Sequence, residues 1–558
     1  MTELKGKGIC AGIAEGTVFF VNKASCDPQK RMVSDTYAEI SKFHNAVDEA
    51  IKQLSSLKEI TEKSADKKSA MIFEIHQIML TDSDFTGAIE NYIANNHVNA
   101  EYSVSIISKQ FADRFRNMDN PYMQERSADI IDISERLIGI LSGSEYKAAS
   151  HGKVIIAAED LSPSETASFN RDNVLGFIIK QGSSTSHTSI LARTMDIPAV
   201  INVSELDASI DGKTVYLDGS EGKIYIDPDN ETIEAMSKKA KSEAERKKRL
   251  MKLKGKESTT KDGKKIHLYA NISTAADIDA AILNDAEGIG LFRSEFMYLD
   301  RKTLPDENEL FDVYKTIAQK MNGKPVIIRT LDIGADKQAP ALNLPKEENP
   351  ALGFRAIRIC LERTDIFKTQ LRAIYRASIF GNIYIMLPMI TSEKEVLQAK
   401  EIMSEVKTSL KSENIPFNDV PVGIMIETPA AAVISAELAE NVDFFSVGTN
   451  DLTQYTLAAD RQNTKLSSLY NVENKAVLRL IKMAADNIHR KGKWIGICGE
   501  AAADKQLLDI FLSMGIDELS VSSGYVLSVR EMIRESKLNP LSEEYKIRHR
   551  YMIKADRL

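Results

Sequence analysis

GIMIETPAAAVISAELAENVDFFSVGTNDLTQYTLAADR, residues 423–461, is the stretch that decides the fold. Its two apolar runs, Gly423–Ile426 and Phe444–Val447, have strand length, and the alanine-rich Ala430–Ala439 between them is helical in composition. Polar residues follow each run: Glu427 after the first, Asn450 and Asp451 after the second. The same unit repeats in both directions, with apolar runs at Ile266–Ala270, Gly288–Phe292, Val326–Arg329, Ile383–Pro388, Ile495–Ile497 and Glu518–Val521. Helical segments such as Ala275–Leu283 and Ala476–Arg490 separate them. Strands alternating with helices in this way predict a (β/α)8 TIM barrel over residues 259–558. Asn271, Arg293, Arg329, Cys498 and Glu500 also stand at strand ends, the face on which such barrels build active sites.

The preceding residues read differently. Val18–Val21 close an N-terminal strand, and strand signals return at Lys153–Ala158, Gly176–Ile179 and Thr214–Leu217. From about Ser34 to Leu141 the pattern is helical: Ile40, Phe43, Val47, Ile51, Leu54 and Leu57 form one apolar stripe. Met71–Leu80, Ala100–Phe115 and Ala128–Leu141 continue it. The expected chain is a multidomain α/β protein. Residues 1–30 and 147–232 make a discontinuous α/β domain, 31–146 a helical insertion, 233–258 a charged helical linker and 259–558 the barrel.

Composition removes several function classes. The 558 residues carry 72 Lys+Arg against 80 Asp+Glu, a net charge of -8, which argues against a nucleic-acid binder. Cys10, Cys26, Cys360 and Cys498 lie far apart, so neither a disulfide framework nor a zinc knuckle is expected. No apolar run is long enough for a signal peptide or a membrane span, and a cytoplasmic location without membrane insertion is expected. Gly212-Lys213-Thr214 lacks the opening glycine of a phosphate loop, with Asp207 in its place, and no GxGxxG occurs.

The residues able to carry chemistry fall in two regions. His187 stands in GSSTSHTSILAR, where hydroxyls and open backbone N–H groups at a helix start can receive phosphoryl oxygens, and a neutral imidazole is a competent nucleophile. A capped helix with an incidental histidine reads as well on local pattern alone. His76, between Phe73 and Met79, is assigned a structural role. On the barrel face, Arg293 and Arg329 suit a polyanionic substrate because guanidinium forks bind paired oxygens. Glu427 and Asp451 could jointly hold Mg²⁺. Cys498 could be a buried apolar residue or an acid poised for proton transfer.

DLSPSETASF, STSHTSILAR, EGIGLFRSEFMYLDR, RTLDIGADK, KEENPALGFRAIRI, GIMIETPAAA, FFSVGTNDLTQYTLAADR and GICGEAA, in this order, resemble the phosphoenolpyruvate-protein phosphotransferase family, enzyme I of the bacterial sugar phosphotransferase system. The likeness runs from about Gly8 to Met532. It implies that His187 takes the phosphoryl group from phosphoenolpyruvate, with Thr166 hydrogen-bonding nearby. It implies substrate binding by Arg293, Arg329, Arg355, Asn450 and Arg461, with Lys337 close, and Mg²⁺, or Mn²⁺ in its place, on Glu427 and Asp451. Cys498 would protonate the enolate to give pyruvate. The insertion would dock HPr, the small histidine phosphocarrier, and the barrel would form a homodimer. His187 precedes the linker and the substrate residues follow it, so the two halves are expected to close and separate in each cycle.

The sequence departs from the family at Gly182-Ser183-Ser184, where a second glycine and an arginine are usual, at CAGIA in the N-terminal strand, and in the basic tail KIRHRYMIKADRL. Three other readings stand beside it. They are an enzyme serving dihydroxyacetone phosphorylation, a pyruvate phosphate dikinase or phosphoenolpyruvate synthase relative, and a catalytically retired binding module. The dikinase reading lacks room for a nucleotide domain ahead of the histidine domain.

Overall fold

The computed structural model describes residues 1–21, 28–63, 67–118, 121–143, 152–161, 165, 169, 173–182, 188–189, 192, 197–275, 277–299, 301, 303–334, 339–461, 463–466 and 468–538. Thr166, Ser183, Ser184, His187, Lys337 and the basic tail fall outside these residues. The chain divides into two compact units, Met1–Lys247 and Lys248–Leu558.

The first unit holds an eight-stranded sheet: β1 (Thr2–Lys5), β2 (Lys7–Cys10), β3 (Ile13–Val21), β4 (Val154–Ala158), β5 (Val174–Ile179), β6 (Ala199–Ile201), β7 (Thr214–Asp218) and β8 (Lys223–Ile226), in the order β1-β8-β7-β3-β4-β5-β6-β2. β3 to β6 run parallel, and the outer pairs are antiparallel. β4 is buried along its whole length because both faces are covered. Ile155 and Ala157 enter one apolar cluster, Ile156 and Ala158 the other.

Between β3 and β4 the chain forms helices Thr36–Lys63, Lys67–Thr81, Ser83–Asn96, Ala100–Arg116 and Pro121–Ser142. Phe43, Val47, Ala50 and Leu54 line the buried face of the first helix and pack with Phe73, Ile89, Ile93, Val104 and Leu137. Asp82 caps the third helix by accepting from the Asp84 N–H, and His97 ends it in the left-handed region. His76 is buried there, with Nε2 3.3 Å from Asp129 Oδ1. A helix, Asn230–Met251, with no buried residue follows β8.

The second unit is a closed parallel barrel of β9 (His267–Ile272), β10 (Ile289–Arg293), β11 (Val326–Arg329), β12 (Ile383–Leu387), β13 (Val422–Ile426), β14 (Phe444–Val447), β15 (Trp494–Ile497) and β16 (Glu518–Ser522). Tyr269, Leu291, Ile327, Met386, Met425, Phe444 and Cys498 form an interior cluster, while a larger core lies between strands and helices. The Phe444 and Trp494 rings stack at 4.5 Å.

Local details differ from the sequence reading. The N-terminal strand is three strands, broken at Gly6 and again at Ala11-Gly12, where Gly12 takes φ 127. Ala430–Ala439 is two helices, Pro429–Val433 and Ser435–Asn441, because Ile434 sits at φ -96, ψ 23. β6, β8 and the helix Ser83–Asn96 are additional elements.

Candidate active site

The barrel strands deliver their last residues to one rim. Arg293 ends β10, Arg329 ends β11, and the two are register partners. Arg329 is 6% exposed, and a guanidinium so buried needs anionic partners. Its Nη1 meets Asp332 Oδ2 at 2.9 Å and its Nη2 pairs with Glu295. Arg355, also buried, donates from Nη2 to Asp332 Oδ1 at 3.1 Å. Burial works against both charges, but Asp332, joined at Arg329 by Glu295, outweighs it and holds both cations more firmly protonated than usual. The Nε of each arginine is buried without a hydrogen-bond partner. Open buried donors of this kind are what a bound anion would satisfy. Ala356, next to Arg355, is held at φ 53, ψ -123, a strained conformation for a residue with a side chain.

Glu427 follows β13 and is almost fully buried. Its Oε1 accepts from the Met389 N–H at 2.6 Å, while Oε2 has no donor. Burial first, then the nearby Asp451 and Asp332, push its carboxyl up to about 8. Asp451 lies in the first turn of the helix Thr449–Leu457, half-buried, with Arg461 Nη1 4.0 Å away. A Cβ on Gly448 would come within 2.8 Å of Glu427 Oε2, so the glycine keeps that oxygen approachable. The partnerless Oε2 of Glu427 and the nearby Asp451 carboxylate fit a hard divalent cation completed by substrate oxygens, whose charge would offset the burial and repulsion that raise Glu427. Among the described residues no group of three or more His, Cys, Asp or Glu could hold a metal, so the pair would rely on that completion.

Cys498 follows β15 and is 4% exposed, its Sγ donating to the Val447 carbonyl at 3.5 Å. Burial above all, with Glu518 and Glu427, pushes the thiol up to about 12. At neutral pH the group is an S–H acid rather than a thiolate nucleophile. The backbone carbonyl of Asn450 accepts from the Tyr470 hydroxyl at 3.1 Å.

The barrel rim thus assembles Arg293, Arg329, Arg355, Glu427, Asn450, Asp451 and Cys498. Arg461 is exposed at the margin. Sequence reasoning missed Glu295 and Asp332, the anions that make two buried arginines affordable; the visible signal was an acid two or three residues after a strand-ending arginine. In the first unit, Thr188 and Ser189, just after His187, are buried and helical.

Three families match: PEP-utilising enzyme, N-terminal, over residues 5–126; PEP-utilising enzyme, mobile domain, over 151–222; and PEP-utilising enzyme, PEP-binding domain, over 247–538. A phosphoenolpyruvate-protein phosphotransferase of Priestia megaterium is 43% identical over 96% of this chain and 94% of its own. The chain belongs to the phosphoenolpyruvate-protein phosphotransferase family. The Bacillus subtilis (strain 168) member of that family is 43% identical over 98% of this chain and 96% of its own. A solved structure titled as enzyme I (nEIt) is 32% identical over 43% of this chain and 99% of its own, with a TM-score of 0.38. Membership of the family makes the chain an enzyme, a phosphotransferase. No helix among its described residues is long and apolar enough to cross a membrane.

Proposed function

We propose that this enzyme takes the phosphoryl group of phosphoenolpyruvate onto His187 and passes it to the histidine phosphocarrier HPr, releasing pyruvate at the first step of a sugar phosphotransferase system. The observation that carries the reading is the rim on which open arginine donors, an unsatisfied carboxylate oxygen and a protonated thiol meet.

Arg293, Arg329 and Arg355, with Asn450, Arg461 and Lys337, bind the substrate's phosphate and carboxylate through fixed N–H groups. Glu427 and Asp451 would hold Mg²⁺ or Mn²⁺. When bound, that ion offsets charge on the transferring phosphoryl oxygens. His187, neutral and steadied through Thr166, attacks phosphorus in line. The enolate left behind takes its proton at the methylene carbon from the Cys498 thiol, which makes the loss of phosphate favourable. The helical insertion receives the carrier, and its exposed Tyr37, Ile78 and Ile131 offer apolar surface for a protein partner. The barrel domain pairs with a second copy.

The test is incubation with phosphoenolpyruvate, Mg²⁺ and a panel of small histidine carriers. HPr should become phosphorylated with one pyruvate released per phosphoryl group. Transfer to a dihydroxyacetone-system carrier alone would reassign the pathway, and absence of pyruvate would end the proposal.

A further inference from the structure

Asn271, near the end of β9, belongs to the same barrel, and the reaction above gives it no part. Its side chain is half-buried and engaged at both ends of the amide. Nδ2 donates to the Ser520 carbonyl at 3.1 Å and to the Cys498 carbonyl at 3.3 Å, and Oδ1 accepts from the Ser520 hydroxyl. Carbonyl oxygens only accept, so the amide nitrogen must face them and its orientation is fixed. Both N–H groups are thereby used, and none is left to donate to a substrate.

The reach of this amide matters because of where Cys498 sits. The register of β15 with β16 ends at the pair Ile497–Leu519, one residue before the cysteine. Past that point Cys498 is held on one side by Val447 of β14, whose carbonyl accepts from its N–H at 3.1 Å and from its Sγ at 3.5 Å. On the other side Asn271 reaches across β16 to the Cys498 carbonyl. Gly290 of β10 leaves room for the Ser520 hydroxyl that locks the amide: a Cβ there would collide with Ser520 Oγ. Gly499, next to the cysteine, packs as closely on the Thr449 hydroxyl, where a Cβ would also collide.

We propose that Asn271 is a positioning residue for the protonation step, fixing the Cys498 peptide so that the thiol meets one face of the enolate. The inference rests on the proposed function, which makes Cys498 the acid. The enolate carbon takes the proton as the S–H bond breaks, and the thiolate left behind recovers a proton from water. Asn271 acts through the backbone, by setting where the sulfur stands. A misplacement of about 1 Å can cost on the order of 10²-fold in rate, and the bond falls on the carbonyl of the same residue that carries the sulfur. The arginines and metal carboxylates stand on or after β10 to β14, so substrate binding does not pass through this amide.

The test is a single turnover of the full-length enzyme with Mg²⁺ in D2O, using phosphoenolpyruvate that carries tritium at one of its two C3 positions. Deuteration from one face gives pyruvate with a methyl group of one configuration, whereas deuteration by solvent from both faces gives a racemic methyl. Wild-type enzyme should give one configuration. Asn271→Ala should form pyruvate on the order of 10²-fold more slowly, with KM for phosphoenolpyruvate near the wild-type value, and should lose configurational purity. Ser520→Ala, which unlocks the amide oxygen but keeps both bonds to carbonyls, should show the same signature more weakly. Full configurational purity in Asn271→Ala, or in Ser520→Ala should the first variant not fold, would overturn the positioning role whatever the rate. A racemic methyl from the wild type would instead overturn Cys498 as the acid, and the inference with it.

Discussion

Arg293 and Arg329 stand opposite each other in register at the ends of β10 and β11, two cations side by side on one rim. Arg329 is held there by the anions around it. Glu295 and Asp332 neutralise Arg329, and Asp332 reaches Arg355 through its other oxygen. The arrangement leaves one buried N–H open on Arg329 and one on Arg355 for a ligand.

Arg329→Lys keeps the charge and loses the fork. It should lower kcat/KM for phosphoenolpyruvate on the order of 10²-fold with near-normal folding. Arg329→Ala should in addition lose about 3 kcal/mol of stability, because Glu295 and Asp332 would stay buried with less compensation. Steady-state kinetics and urea titration separate the two effects. Equal kinetics for the lysine variant and the wild type would deny Arg329 a role in binding.

Gly448→Ala places a Cβ against Glu427 Oε2. Mn²⁺ affinity, read by paramagnetic relaxation, should fall at least as far as activity, while the barrel stays folded. Wild-type Mn²⁺ binding in this variant would remove Glu427 from the metal site.

Much of this site was legible because strand ends carry their signal locally. Val326–Arg329 and Phe444–Val447 match the observed strands to the residue, since the first is a short apolar run closed by an arginine and the second is cut off by Gly448. Asp332 and Glu295 were not legible in that way. An acid two or three residues after a strand-ending arginine marks their positions, but their importance comes from burial beside a cation, a three-dimensional condition that spacing alone does not express. β6 and β8 escaped notice because they are short, and β6 earns its strand pairing from β5 and β2 rather than from its own three residues. The helix Ser83–Asn96 was hidden by its closeness to the preceding helix, from which only the Asp82 cap separates it.

The thiol of Cys498 should alkylate slowly at neutral pH. An ordinary thiol levels off once pH passes about 8.5. The Cys498 rate should still be climbing well above that, because its thiolate forms only near pH 12. Peptide mapping after iodoacetamide treatment across pH gives the profile, with half-buried Cys10 as internal comparison. A plateau near pH 8 at Cys498 would contradict its assignment as an acid. Cys498→Ser should bind phosphoenolpyruvate and turn over very slowly.

Arg530 is the largest fully buried side chain among the described residues. It pairs with Asp285 and donates from Nε to Ser258 Oγ at 3.1 Å and from Nη2 to the Asp285 carbonyl at 2.7 Å. Burial pulls the Asp285 carboxyl pKa up, but the Gly255 N–H at 2.7 Å and then the Arg530 guanidinium outweigh it and lower it. The pair therefore stabilises the barrel above the unfolded carboxylate pKa of about 3.9 and loses its contribution as pH falls below it. Arg530→Met should cost about 3 kcal/mol at pH 7 and markedly less at pH 3, by chemical denaturation at each pH. A pH-independent penalty would place the cost in packing instead.

The proposed reaction rests on His187 as the phosphoryl acceptor. Enzyme incubated with Mg²⁺ and phosphoenolpyruvate labelled in its phosphate, then digested and mapped by mass spectrometry, tests this directly. The label should sit on the peptide carrying His187, be stable to base and labile to acid, and vanish in His187→Ala. Wild-type labelling of the His187→Ala protein, or label recovered on another residue, would contradict it.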